Sequence, residues 1–115
     1  MREFTVEFCL ADSEYMTALR LAVGAVCAAA DTDVDSAEDM KVCVTESCLI
    51  LKNGGFANVK IRLGCKGGVY AIVQGEGGQP KPCDDQFSLA LVSALVSSCE
   101  LSENGGVIDQ IMLKL

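Results

Sequence analysis

The chain has 115 residues and no histidine, and its 16 acidic and 9 basic side chains give a formal net charge of −7. This length is typical of one domain, which buries about two-thirds of the surface of its unfolded chain and folds without cross-links. The acidic balance argues against a nucleic-acid partner, which requires basic patches. The absence of histidine excludes the serine–histidine–aspartate triad, the histidine-paired thiolate and histidine-ligated zinc.

Seven cysteines occur, and no two of them form a CxxC pair. An odd count is not typical of a secreted disulfide framework, and a free cysteine in an apolar run behaves as a small buried hydrophobe. The longest apolar run, Leu21 to Ala30, is too short to span a bilayer. The first residues alternate like a strand and do not resemble a signal peptide. We therefore expect reduced thiols, no membrane partner and a cytoplasmic location.

The first predicted elements are a strand and a helix. Residues 3–10 alternate between apolar and polar side chains, which is typical of a half-buried strand. Ala11-Asp12-Ser13 offers capping groups for a helix from Ser13 to about Ala30. No charge occurs in the second half of this helix, so it is apolar nearly all round there. Two interpretations remain open: a central core helix, or a helix that presents a partner or dimer surface.

A polar break, Asp31 to Ser36, separates this helix from a second one predicted from Ser36 to Lys52. Asn53-Gly54-Gly55 ends the second helix, because glycine readily adopts the conformation that follows a helix. The three aspartates of the break lack the glycine and glutamate of an EF-hand loop, so we interpret them as capping residues and not as a calcium site.

The rest of the chain predicts a sheet with one more helix. The predicted elements are a strand at 57–65, a hairpin turn at 66–68, a strand at Val69–Gln74, a loop at 75–82, a helix from Asp84 to Cys99, a turn at 102–106 and a strand from Val107 to Leu115. Helices do not alternate regularly with strands, so a parallel doubly wound sheet is not expected. We predict an α/β (α+β) two-layer sandwich, a mostly antiparallel mixed sheet with three helices on one face. Tyr70, Ile72, Ile108 and Met112 share the outward parity and predict a small apolar patch on the other face.

Three segments carry a resemblance to a known family: AEDMKVCVTESCLIL at 37–51, ADSEYMTALRLAV at 11–23 and ENGGVIDQIMLKL at 103–115. The first is similar to an IEDLKIAVSEACTNA segment and the second to a PEYVGxxRLxL segment. With the element order, they resemble the RsbW and SpoIIAB type of anti-sigma factor, which are bacterial serine protein kinases of the GHKL ATPase superfamily. The resemblance implies one domain over residues 1–115 with the histidine-kinase-like ATPase fold.

The resemblance also implies where a nucleotide would bind. In the family, a helix glutamate is the base for phosphoryl transfer, and an asparagine four residues later helps to hold Mg²⁺. An aspartate in a DxGxG box reads the adenine, the glycines of a GLGL box approach the phosphates, and a flexible lid closes over them. Glu46 matches the glutamate, but Ile50 stands at the asparagine position and supplies no oxygen ligand.

The two glycine boxes depart from the family in the same direction. Gly75 stands at the aspartate position of the segment that ends at Gly77, while Ser88 and Ala90 replace the phosphate-binding glycines. The segment 78–87 is also shorter than a family lid. We therefore predict a lost nucleotide site, with no ATP, Mg²⁺ or other metal cofactor and no catalysis. Glu46 is then either a retained polar contact or a solvated helix glutamate.

Arg20 matches a first-helix arginine that, in the family, contacts the sigma factor or the antagonist. The predicted partner-binding residues are Arg20, Met16, Thr17 and Gly24. The alternative is an arginine that lies over its own helix or pairs with Glu14 or a nearby aspartate.

The expected function is a non-catalytic anti-sigma-like regulator of transcription that binds a sigma factor or a STAS-type antagonist, and the resemblance also makes a homodimer possible. Two alternatives stay open: a diverged ATP-binding serine protein kinase, and a structural interaction module that uses only the fold.

Overall fold

The computed structural model describes residues 2–115. Within these residues, the chain forms β1 (Phe4–Cys9), α1 (Tyr15–Ala29), α2 (Val34–Asn53), β2 (Asn58–Cys65), β3 (Val69–Glu76), α3 (Gln86–Leu95), β4 (Ser98–Asn104) and β5 (Val107–Lys114). The described strands form one sheet in the order β1-β2-β3-β5-β4, and each of its pairings is antiparallel. β1 and β4 are therefore the two edges of the sheet.

The core lies between one face of this sheet and the helices. Side chains alternate along each strand, and those that point to the helices are almost completely buried, including Val59, Ile61 and Val73. Their neighbours on the other face, such as Lys60 and Gln74, stay partly or fully exposed. The predicted two-layer sandwich is thus confirmed, with the correction that the described sheet contains no parallel pair.

The predicted third helix is wrong at its C-terminal end. α3 stops at Leu95, and Cys99 lies in β4, a strand that the sequence pattern does not predict. β4 pairs with the central strand β5, with Cys99 opposite Leu113 and Leu101 opposite Ile111. Serines at 97 and 98 favour a helix only weakly, so pairing with β5 outweighs the local helical pattern.

The predicted outward patch is correct for three of its four members. Ile72 lies opposite Met112 on neighbouring strands, and Tyr70 precedes Ile72 on the same face. Ile108 instead packs against the buried core, because the β4–β5 register shifts between Ser102 and Glu103. Such a bulge adds a residue to one strand, and the alternation of faces is lost beyond it.

The helix starts also differ from the predicted ones. α1 begins at Tyr15, and Glu14 occupies the cap position without a side-chain hydrogen bond to the first turn. The predicted cap at 11–13 is therefore wrong. α2 begins at Val34, because the Asp33 carboxylate accepts a hydrogen bond from the Ser36 backbone N–H at 2.8 Å. That hydrogen bond lowers the pKa of Asp33.

Candidate functional site

Two of the predicted nucleotide-site residues, Glu46 and Ser88, lie side by side. Glu46 is on α2 and Ser88 is on α3, and both are half-buried where the two helices pack. The Ser88 hydroxyl donates a hydrogen bond to Oε2 of Glu46 at 3.2 Å. The pair therefore gives Glu46 a polar contact that ties the two helices together.

Ile50, at the position of the family asparagine, belongs to the core. It lies one helical turn after Glu46, and only 1% of its surface is exposed. Its backbone carbonyl accepts a hydrogen bond from the Gly54 N–H at 2.9 Å, which helps to end α2. A side chain in this position offers no oxygen to a hard cation such as Mg²⁺.

Gly75, at the position of the family aspartate, is covered by an aromatic ring. It lies on β3 opposite Val59, and a β-carbon built on it would stand 2.5 Å from Cγ of Phe56. Phe56 is buried, with only 9% of its surface exposed, so its ring has little room to move away. The ring therefore occupies the space that an aspartate side chain at position 75 would need.

Phe56 is a site residue that sequence reasoning missed. It directly follows the Asn-Gly-Gly stop of α2, and its N–H donates to the Leu51 carbonyl at 3.1 Å. A large apolar residue immediately after a glycine turn was the available signal, because the turn directs the chain back into the core.

The β3–α3 connection, residues 77–85, lies directly on the turn between α2 and β2. The Gln79 N–H donates to the Gly55 carbonyl at 3.0 Å, and the Lys81 N–H donates to the Gly54 carbonyl at 2.8 Å. Gly78 has a φ of +73°, and a β-carbon there would overlap the Gly55 carbonyl oxygen. The connection is thus held by backbone groups, in the region where the family resemblance implies a lid.

The remaining predicted positions of the nucleotide site are exposed. Gly77 begins the connection, and Ala90 lies on the solvent side of α3. The structure therefore brings Glu46 and Ser88 together, whereas Ile50 is buried in the core and Gly75 lies against the Phe56 ring.

A surface hollow of about 510 Å³ lies beside the start of α3. Its walls carry the carboxylates of Asp84, Asp85 and Glu103, and none of the described residues that line it is basic. Burial raises the pKa of Asp85, with Asp84 adding to that effect. Such a wall repels a phosphate group even though a helix begins here.

The predicted partner-binding residues lie on one stripe of α1. Thr17 and Arg20 are exposed, whereas Met16 and Gly24 are half-buried. Leu21, which the sequence reasoning did not include, is 72% exposed and continues the same stripe. No carboxylate of residues 2–115 lies within 4.0 Å of the Arg20 guanidinium, so the alternative of a pairing with Glu14 or a nearby aspartate is not found there.

Two further features bear on ligands. Across residues 2–115, no group of three or more cysteine, aspartate or glutamate side chains is arranged to hold a metal ion. No helix in that range combines the length and apolar character needed to cross a bilayer. Neither a family model nor a curated protein matches this chain.

Proposed function

We propose that this protein is a non-catalytic regulator of the anti-sigma type, which acts by binding another protein through α1. The observation that carries the proposal is the exposed pair at the centre of that helix. Leu21 is 72% exposed, and the neighbouring Arg20 has no carboxylate partner among the described residues. An apolar side chain beside an unpaired guanidinium is a combination that protein interfaces favour.

The shape of the helix surface supports the same role. Arg20 and Leu21 stand next to Thr17 and Gly24 on the stripe, so the two large side chains project from a surface of small ones. Beside Gly24, the nearest side-chain atom is Cε of Lys41, 3.1 Å from where a β-carbon would be. The Lys41 side chain therefore covers Gly24 and leaves Thr17, Arg20 and Leu21 as the exposed members of the stripe, where an acidic group on a partner would find Arg20 available.

The surroundings of the nucleotide positions argue against catalysis. Ile50 is sealed in the core, the Phe56 ring covers Gly75, and acidic side chains line the hollow at the start of α3. A Mg²⁺–nucleotide complex would need an oxygen ligand, which Ile50 lacks, and an adenine contact, which the Phe56 ring leaves no room for at Gly75. It would also need a site for phosphates, which the acidic hollow repels. Regulation by stoichiometric binding in the cytoplasm needs none of them. By resemblance, the partner is a sigma factor or a STAS-type antagonist.

The test compares two charge reversals of equal size. Arg20→Glu changes the proposed surface, and Lys52→Glu changes an exposed cation in the last turn of α2. Titration calorimetry would use the purified sigma factor and STAS-type antagonist encoded nearest to the gene. We expect Arg20→Glu to weaken binding by about 30-fold or more, and Lys52→Glu by less than about threefold. Equal losses in the two variants would mean non-specific charge attraction and would contradict the proposal.

A second candidate, a diverged nucleotide-binding kinase, rests on one observation. Glu46 is retained, half-buried and hydrogen-bonded to Ser88. Calorimetric titration with a non-hydrolysable ATP analogue, with and without Mg²⁺, separates the candidates. Micromolar binding that depends on Mg²⁺ would support the kinase and overturn the non-catalytic proposal. Absence of binding to the nucleotide and to both proteins would leave a module that uses only its fold.

A further inference from the structure

The outer face of the sheet, opposite the helices, carries a hollow of about 320 Å³. The described residues that line it are Glu3, Lys66, Tyr70, Ile72, Met112 and Lys114. Its centre is apolar, because Met112 is 36% exposed and lies directly opposite Ile72 on the neighbouring strand. A hollow of this size accommodates one large side chain or a small ligand.

Tyr70 forms a fixed wall of the hollow, because its ring lies across a glycine. Gly64 pairs with Tyr70, and a β-carbon on Gly64 would stand 2.6 Å from the tyrosine hydroxyl oxygen. That hydroxyl donates to Oε2 of Glu3 at 2.7 Å, so the side chain reaches from β3 over β2 to the residue that precedes β1. An aromatic side chain that covers a glycine in this way stabilises a sheet. A wall that is in place before binding lowers the entropy cost of binding.

Cations without an ion-pair partner stand at the hairpin end of the hollow. Lys66 belongs to the turn between β2 and β3, and Nζ of Lys114 lies 3.8 Å from where a β-carbon on Gly67 of that turn would be. No carboxylate of residues 2–115 lies within 4.0 Å of either ammonium group. Arg62, opposite Ile72, adds a third cation in the next row of the face. In a chain with a net charge of −7, this local positive charge favours an acidic ligand.

We infer that this hollow binds a short acidic segment of a second, different protein, which inserts one large apolar side chain between Tyr70 and Met112 and sets a carboxylate beside Lys66 and Lys114. The hollow lies on the sheet, whereas the α1 stripe lies in the helix layer, so the inference does not depend on the proposed function. Two separate surfaces would let one copy of the chain hold two proteins together.

The acidic side chains of the same face limit the ligand to a short motif. Glu7 stands 3.8 Å from Lys60, and Glu100 lies opposite Met112 on β4. A nucleic-acid strand carries a phosphate at every nucleotide and would meet these carboxylates as it crosses the face. A peptide needs acidic residues only at the hairpin end, and the rest of its length can be uncharged. The arrangement therefore favours an acidic peptide over a polyanion.

Fluorescence anisotropy tests the inference with peptides of defined composition. The first probe is a short fluorescein-labelled peptide of glycine and serine, with one phenylalanine flanked by glutamates. Two matched probes replace the phenylalanine by serine or the glutamates by glutamines. We expect a Kd on the order of 100 μM for the first probe and binding weaker by about fivefold or more for each of the others. Equal binding of the three probes, or no binding of the first at about 2 mM, would overturn the inference.

Substitutions on the protein locate the bound peptide. Lys114→Glu changes the hollow, and Lys52→Glu makes the same charge reversal at an exposed position of α2. We expect Lys114→Glu to weaken binding of the first probe by about tenfold or more and Lys52→Glu by less than about twofold. Met112→Ser removes an exposed apolar wall and should weaken binding by about fivefold. A larger loss with Arg20→Glu than with Lys114→Glu would place the peptide on α1 and contradict the inference.

Two further measurements reveal a different occupant of the face. A sedimentation coefficient that rises with concentration in the parent, but not in Lys114→Glu, would show that a second copy of the chain covers the hollow. A labelled oligothymidine that competes with the peptide, and that binds Lys114→Glu more weakly, would show a nucleic-acid site. Either result would overturn the inference. Sedimentation that is the same in parent and variant, together with no binding of oligothymidine, would support it.

Discussion

The ring of Phe56 lies where a β-carbon on Gly75 would have to stand, with 2.5 Å between that position and Cγ of the ring. Only a residue without a side chain at 75 tolerates the ring at 56. The family resemblance expects an aspartate at 75, so the ring and the adenine-reading carboxylate exclude each other. The packing of Phe56 therefore requires a glycine at position 75.

Gly75→Ala should destabilise the protein by about 1–3 kcal/mol, because the added methyl meets a ring that cannot retreat. Urea unfolding measures this cost. In a Phe56→Leu background, the same substitution should cost less, and the difference should exceed about 0.5 kcal/mol for residues in contact. Gly24→Ala is the matched control: its methyl meets only the flexible end of Lys41, and alanine favours a helix, so stability should hold or rise. Additive costs in the double variant would contradict the proposed contact.

Asp33→Ala should lower the melting temperature at neutral pH by removing the cap of α2. The folded pKa of Asp33 is lowered by the Ser36 N–H, so the charged carboxylate stabilises the fold above its unfolded pKa of about 3.9. That contribution is lost as the pH falls through the lower, folded pKa. Thermal unfolding followed by circular dichroism should therefore show the gap between variant and parent closing below about pH 4.

Two controls separate the cap from general charge effects. Asp33→Asn keeps an oxygen acceptor, so its deficit at neutral pH should be smaller than that of Asp33→Ala, and it should also shrink below about pH 4, because only the parent titrates at this position. Asp35→Ala, in the same first turn but outside the cap hydrogen bond, should change the melting temperature little. A deficit for Asp35→Ala as large as that for Asp33→Ala would mean that helix-terminus charge, not the cap, is responsible.

Alkylation should distinguish the cysteines of the folded protein. Burial raises the pKa of Cys43 to about 11 and that of Cys48 to about 12, so at pH 8 no more than about one in a thousand of these thiols is the reactive thiolate. Cys83 is exposed in the β3–α3 connection. Mass spectrometry after brief iodoacetamide treatment should find the label at Cys83 first. Cys43 and Cys48 should react only when urea unfolds the chain, and early labelling of either would contradict their burial.

Amide hydrogen exchange should be faster in α3 than in α2. Among the residues of α3, Val92 alone is fully buried, and Phe87 is 85% exposed. α2 instead presents a row of buried side chains along its length. Helices with few buried contacts open at a smaller free-energy cost. Equal protection of the two helices would show that the Glu46–Ser88 link and Val92 hold α3 more firmly than burial indicates.

The sequence pattern predicts the elements whose period is clear and misses those set by distant partners. The alternation at 57–65 correctly separates inner Ile61 from outer Lys60, because a strand with one buried face leaves a period of two. β4 has no such pattern, and Leu101 at its centre is 39% exposed. β4 forms because it pairs with β5, and a short stretch of sequence around β4 does not reveal that pairing.

The candidate site divides in the same way. The residue types at 46, 50, 75, 88 and 90 are visible in the sequence, and so is their departure from the family pattern. What the sequence does not reveal is what fills the space, because the contact of Phe56 with Gly75 and that of Ser88 with Glu46 join residues of different elements. The exposure of Leu21 is hidden for a similar reason: an apolar run does not say which of its members faces solvent.

The backbone attachment of the β3–α3 connection has a consequence for how this region tolerates change. Its hydrogen bonds to the α2–β2 turn are made by the backbone N–H groups of Gln79 and Lys81. The side chains at these exposed positions take no part in them and can therefore change. Gly78 and Gly55 cannot be replaced without strain. Each has a positive φ, and the backbone of the facing segment lies where a β-carbon on either residue would stand. Variation accumulated here would alter the charge of this surface while its path stays constant.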